Sequence, residues 1–109
     1  MGLAENLEAM LAAGKDDALL RFSLGNAYLE KQPARAALHL ARAVELNPRY
    51  SAAWKIYGKA LTAAGREDEA IEAYRRGITT AEGNGDIQAA KEMRVFLRRL
   101  QRRQEEDSQ

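Results

Sequence analysis

Two stretches of this chain superpose when the sequence is slid along itself by about 33 places, and no other feature restricts the possible folds as tightly. Leu24-Gly25-Asn26-Ala27-Tyr28 falls on Tyr57-Gly58-Lys59-Ala60-Leu61, a glycine inside a helical pattern each time with a large residue three places later. One further residue of offset aligns Ala36 with Ala70, Leu40 with Tyr74, Ala43 with Gly77 and Val44 with Ile78. The extra step falls where Glu30 to Arg35 stands opposite Ala63 to Glu69, so the first unit has the shorter turn. Each unit reads as helix, short turn, helix. A single hairpin of this kind cannot bury its own apolar face, so tandem copies predict a stacked array.

The rest of the sequence agrees with helices. Ala, Leu, Glu, Arg and Lys dominate, and these lose little conformational freedom in a helix. β-branched residues are scarce, and no window alternates with period two. The chain has 109 residues, the size of one domain, which can bury a little over about 60% of its unfolded surface. The absence of cysteine excludes disulfides, thiolate catalysis and thiolate metal sites, and suits a reducing compartment, so a cytoplasmic location is expected. A formal net charge of +1 gives no global field for nucleic acid or anionic lipid. The start of the chain has no long apolar run and carries Asn6 where a myristoylation signal needs Ser or Thr, so no membrane attachment is expected.

Punctuation falls where the hairpins require it. Gly14 and Gly65 can take the left-handed conformation that ends a helix, and Asp16 or Asp17 can cap the next one. Pro33 suits a first helical turn, and Pro48 stops the helix ending Val44-Glu45-Leu46. Leu3, Leu7, Met10 and Leu11 share one face of a short initial helix. Gly83 to Asp86 predicts a loop ending in an N-cap, after which Ile87, Ala90, Met93, Phe96, Leu97 and Leu100 stripe a final helix. The expected organisation is one all-α domain: an N-terminal helix over 3–13, a first repeat over 18–50 and a second over 51–84. A C-terminal capping helix follows over 86–103, then a frayed tail over 104–109. Apolar stripes on both terminal helices mark them as caps for the open ends of the array.

These residues resemble the tetratricopeptide-repeat (TPR) family, whose period is about 34 residues with a recurring pattern of Trp, Leu-Gly, Tyr, Ala, an aromatic, Ala and Pro. The second unit matches with Trp54, Tyr57-Gly58, Leu61, Ala70, Tyr74 and Gly77. The first matches with Leu24-Gly25, Tyr28, Ala36, Leu40, Ala43 and Pro48. Arg21 stands where Trp belongs, and Glu82 where the second unit would have Pro. The resemblance implies tandem antiparallel hairpins in a right-handed solenoid, with Trp54, Tyr57 and Tyr74 packed between helices. Gly25 and Gly58 carry the same implication independently, because mid-helix glycine costs up to about 1 kcal/mol relative to alanine and needs a close helix approach to compensate.

The resemblance further implies a concave surface, lined by the first helix of each hairpin, that binds proteins or peptides and performs no catalysis. By the family pattern, Leu19, Phe22, Asn26, Leu29 and Glu30 line it on the first hairpin. Ala52, Lys55, Lys59, Thr62 and Ala63 line it on the second, with Arg49 and Tyr50 at the entrance. That groove would be apolar on one wall and basic on the other. Some relatives clamp a terminal carboxylate with Lys and Asn, and Asn26 fills one such position. Phe22 and Ile56 occupy others, so that clamp is incomplete here.

Other chemistries find less support. Lys91, Arg94, Arg98 and Arg102 recur at helical spacing, with Arg99 and Arg103 beside them, which could hold RNA or an acidic protein. Aromatics for base stacking are nearly absent there, Phe96 reads as core, and Glu105-Glu106-Asp107 follows, so a solvated cap face is favoured. His39 is the only histidine, with no neighbouring ligand set, and is expected at the surface with no metal or cofactor. Glu67-Asp68-Glu69 resembles a carboxylate cluster, yet acids in a first helical turn are what the helix dipole favours. The expectation is a peptide- or protein-binding module, monomeric or weakly dimeric because arrays of this kind usually need about three repeats.

Overall fold

The computed structural model describes residues 2–108 as six helices with no strand among them. They are α1 (Leu3–Ala12), α2 (Ala18–Tyr28), α3 (Pro33–Leu46), α4 (Ser51–Ala63), α5 (Glu67–Asn84) and α6 (Ile87–Asp107). The all-α expectation holds. α2 pairs with α3 and α4 with α5; α6 packs on α5 and touches α4, as α4 packs on α3 and touches α2. α2, α4 and α6 therefore form one layer whose neighbours meet. α3 and α5 form the other and do not touch, so the array bends toward the α2/α4/α6 side.

Local sequence sets the ends of these helices. Gly14 and Gly65 sit at φ 97° and 78°, terminating α1 and α4. The Asp17 carboxylate accepts from the Leu20 amide at 2.8 Å, and Asp86 from the Ala89 amide at 3.2 Å. Two boundaries differ from the sequence reading. α5 continues through Gly83 and Asn84, leaving only a left-handed Gly85 and Asp86 as the turn. Asn84 is held there because its amide donates to the Arg49 carbonyl at 2.7 Å and its oxygen accepts from the Arg49 guanidinium at 3.2 Å. α6 runs to Asp107 in place of a tail frayed from Gln104. Its last turns are anchored by Arg103 to Glu67 at 2.7 Å and by Gln104 donating to Asp68 at 2.8 Å. Gln109 lies outside the described residues.

Glycines bring the layers together. A Cβ on Gly25 would overlap the Leu40 side chain, and one on Gly58 would overlap the Tyr74 ring. Gly77 faces Met93 of α6 and the Trp54 Cβ, the latter 2.8 Å from where a Cβ would stand. Leu24, Leu40, Leu61, Tyr74 and Met93 are the largest fully buried side chains, and Leu40, Tyr74 and Met93 each fit against a glycine where α2 meets α3, α4 meets α5 and α5 meets α6. Trp54 is buried and donates its indole N–H to the Pro48 carbonyl at 2.8 Å, while Tyr57 is only half-buried.

His39 overturns the expectation of a surface residue, being only 8% exposed. Its ring stacks on Tyr28 with centroids 5.7 Å apart. Nδ1 lies 3.1 Å from Arg21 Nη1 and Nε2 lies 3.4 Å from Glu8 Oε1. Arg21 can only donate, so this arrangement suits a neutral imidazole carrying its proton on Nε2. Burial lowers the His39 pKa, with Arg21 and Arg35 adding to the effect and Glu8 opposing it. No helix among the described residues is long and apolar enough to cross a membrane.

Candidate partner-binding face

The inner face of α2, α4 and α6 changes character along its length. On α2, Phe22 is half-buried and its ring meets Tyr50 at a centroid separation of 4.9 Å and a tilt of 39°. Leu29 is half-buried, and Asn26 is exposed without a hydrogen-bond partner among the described residues. Leu19 stands 65% exposed. It borders a shallow depression of about 140 Å³ shared with Leu7 and Met10 of α1, at the N-terminal edge of the array and away from Tyr50. The Phe22–Tyr50 pair thus bridges α2 to the start of α4. Arg49, expected at the groove entrance, is tied to Asn84.

The α4 residues are partly engaged. Lys55 is half-buried and meets Glu92 of α6 at 3.4 Å. Thr62 returns its hydroxyl to the Gly58 carbonyl at 2.8 Å. Lys59 remains exposed, with its Nζ 5.3 Å from the Phe96 ring centroid. Between α4 and α6 opens a cavity of about 340 Å³, with Lys59, Thr62 and Ala63 on one wall, Phe96, Arg99, Leu100 and Arg103 on the other, and Tyr74 beneath. Burial pushes the Tyr74 phenol up to about 12, partly offset by the Thr62 hydroxyl, so it stays protonated around neutrality.

Phe96, Arg99 and Arg103 are absent from the groove that the sequence predicts, in which Phe96 reads as core and the arginines as a solvated face. Their spacing of three and four residues places them on one side of a helix. That pattern could have found them, but nothing local reveals that this side borders α4. The basic stripe of α6 divides. Arg94 pairs with Glu82 and Arg103 with Glu67, whereas Arg98 and Arg102 stay exposed with Val95 around a second shallow surface that Arg99 also borders. Among the described residues no cluster of His, Cys, Asp or Glu has the makings of a metal site.

A profile of the tetratricopeptide repeat matches residues 31–87. TPR repeat-containing protein PA0015 of Pseudomonas aeruginosa is 55% identical over 101 residues, spanning 92% of this chain and 96% of that protein. The solution structure of protein BPP2914 from Bordetella parapertussis superposes with a TM-score of 0.80 at 46% identity, covering 94% of this chain and 90% of that one. A crystal structure of a tetratricopeptide repeat domain protein from Salinibacter ruber gives a TM-score of 0.72 at 25% identity, covering 79% and 97% respectively.

Proposed function

Since the chain belongs to the tetratricopeptide-repeat family, whose members generally serve as non-enzymatic modules that bind other proteins, we propose that it is a cytoplasmic adaptor holding a peptide segment across α2 and α4. The observation that carries this reading is the Phe22–Tyr50 ring pair, half-buried at the junction of the two helices where a partner side chain can complete its burial. Leu29 extends the apolar wall on α2. Asn26 offers an exposed amide to a peptide backbone, and Thr62 and Lys59 continue the track on α4. Leu19 extends it toward α1, where Leu7 and Met10 already flank it. Lys55 contributes less than its position implies, because Glu92 already neutralises it. Apolar contacts supply most of the affinity and exposed charges mainly the orientation, since an exposed ion pair adds only about 0–1 kcal/mol.

The test is to identify a retained protein by affinity capture, confirm direct binding with the purified partner, and titrate variants by calorimetry. Phe22→Ala should weaken binding by more than Lys59→Ala. Reversal of Arg98 and Arg102 to glutamate should leave it nearly unchanged. Loss of binding only in the arginine reversal moves the site to the basic face of α6. Sedimentation of the free protein tests the proposed monomer or weak dimer.

A further inference from the structure

The cavity between α4 and α6 differs from the rest of the inner face. Its base is apolar: Tyr74 and Leu100 are 2% and 3% exposed, with Phe96 rising beside them. Its rim is cationic, carrying Lys59, Arg99 and Arg103. Arg103 has Glu67 as a partner, and nearby Lys55 has Glu92. Lys59 and Arg99 have no carboxylate among the described residues. Each instead lies against the same ring, 5.3 Å and 5.9 Å from the Phe96 centroid. Two like charges gathered at one aromatic ring, above a floor with no charge, leave a place that an anion would satisfy.

We infer that this cavity receives one apolar side chain of a peptide whose flanking residues are acidic. The inference rests on the proposed peptide-binding role and specifies its chemistry. A volume of about 340 Å³ lies at the lower end of the roughly 300–1,000 Å³ typical of ligand pockets, so it suits a single large side chain. Neighbouring carboxylates then meet Lys59 and Arg99, while the apolar group covers Phe96 above the buried Tyr74. A nucleic acid fits the surroundings less well. Glu67 and Glu92 border the site and would repel a continuous phosphate chain, and Phe96 is the only ring of α6 available for stacking.

The probe is a blocked, fluorescein-labelled decapeptide with one central phenylalanine between pairs of glutamates, titrated by anisotropy and mapped by amide chemical shifts on the intact chain. Saturable binding with shifts at Lys59, Phe96 and Arg99 is expected. Replacing the peptide phenylalanine by alanine, or its glutamates by lysines, should weaken it by about tenfold or more. Ala63→Trp should do the same by filling the cavity from an exposed position, as should Lys59→Glu combined with Arg99→Glu. Circular dichroism verifies that each variant folds. Shifts confined to Phe22, Leu29 and Tyr50, with the cavity variants unaffected, overturn the inference and leave the α2/α4 site standing. No saturable binding at millimolar peptide overturns it too, and leaves that site to the calorimetric test above. Preferential binding of a short single-stranded RNA at Lys59 and Arg99 overturns the inference and likewise leaves the α2/α4 site to that test.

Discussion

The two ends of the array are closed by different physics. α6 buries Ala89, Ala90, Met93 and Leu100, and Met93 fits against Gly77 as Tyr74 fits against Gly58. α1 buries no residue. It rests Leu7 and Leu11 on the core and is otherwise held through Glu8, which accepts from the Tyr28 hydroxyl at 3.2 Å and approaches His39 at 3.4 Å and Arg35 at 3.8 Å. α6 thus repeats the internal packing rule and extends the inner layer. α1 adds only partly buried apolar contacts, from Ala4, Leu7 and Leu11, and the polar clip through Glu8 at a half-open edge. A fully buried seam of this kind contributes more to the array than half-buried apolar contacts joined to a polar clip.

The largest effect should come from removing α6. A chain ending at Gly85 exposes the Gly77 and Tyr74 surface and should aggregate or lose cooperative unfolding, as followed by light scattering and thermal melts. A soluble truncation with a sharp transition would place α6 on the same footing as α1 and erase the contrast.

Next in size is Gly58→Leu, which must drive a side chain into the Tyr74 ring. We expect a loss toward the upper part of about 1–3 kcal/mol in urea melts. An unchanged midpoint would mean that the layers can separate there, so that glycine does not set their spacing.

The smallest effects belong to the α1 clip. Glu8→Ala should cost about 1 kcal/mol, since the carboxylate is partly exposed and its partners are shared. The same cluster should respond to acid. Burial holds the folded His39 pKa below its ordinary 6.5, so the unfolded chain takes up a proton more readily. The His39 contribution is therefore complete above about pH 6.5 and is lost as pH falls below that value through the folded pKa. Melting temperatures at about pH 7.5 and 5.5 should differ more for the parent than for His39→Gln. Equal differences would remove His39 from the clip.

Comparing the repeats shows why some features were legible in advance. Where the second unit has Trp54 donating to the Pro48 carbonyl, the first has Arg21 bound to Asp16 at 2.8 Å and to His39 at 3.1 Å. The departure at Arg21 is visible in the sequence. Its consequence, a histidine drawn into a buried polar cluster, depends on residues from α1, α2 and α3 meeting.

What the sequence alone determined was local and periodic. The helical hairpins, the left-handed Gly14 and Gly65, the Asp86 cap and the glycines at close contacts all follow from spacing and backbone preference, which each segment carries within itself. Tertiary structure alone decided that α6 lines the inner layer, that Lys55 is paired while Lys59 and Arg99 are not, and that Phe96 opens onto a cavity. Periodicity reports which face of a helix is apolar. It does not report which charges stand across from that face, because the partners lie about ten helical turns away along the chain and meet only when the layers close.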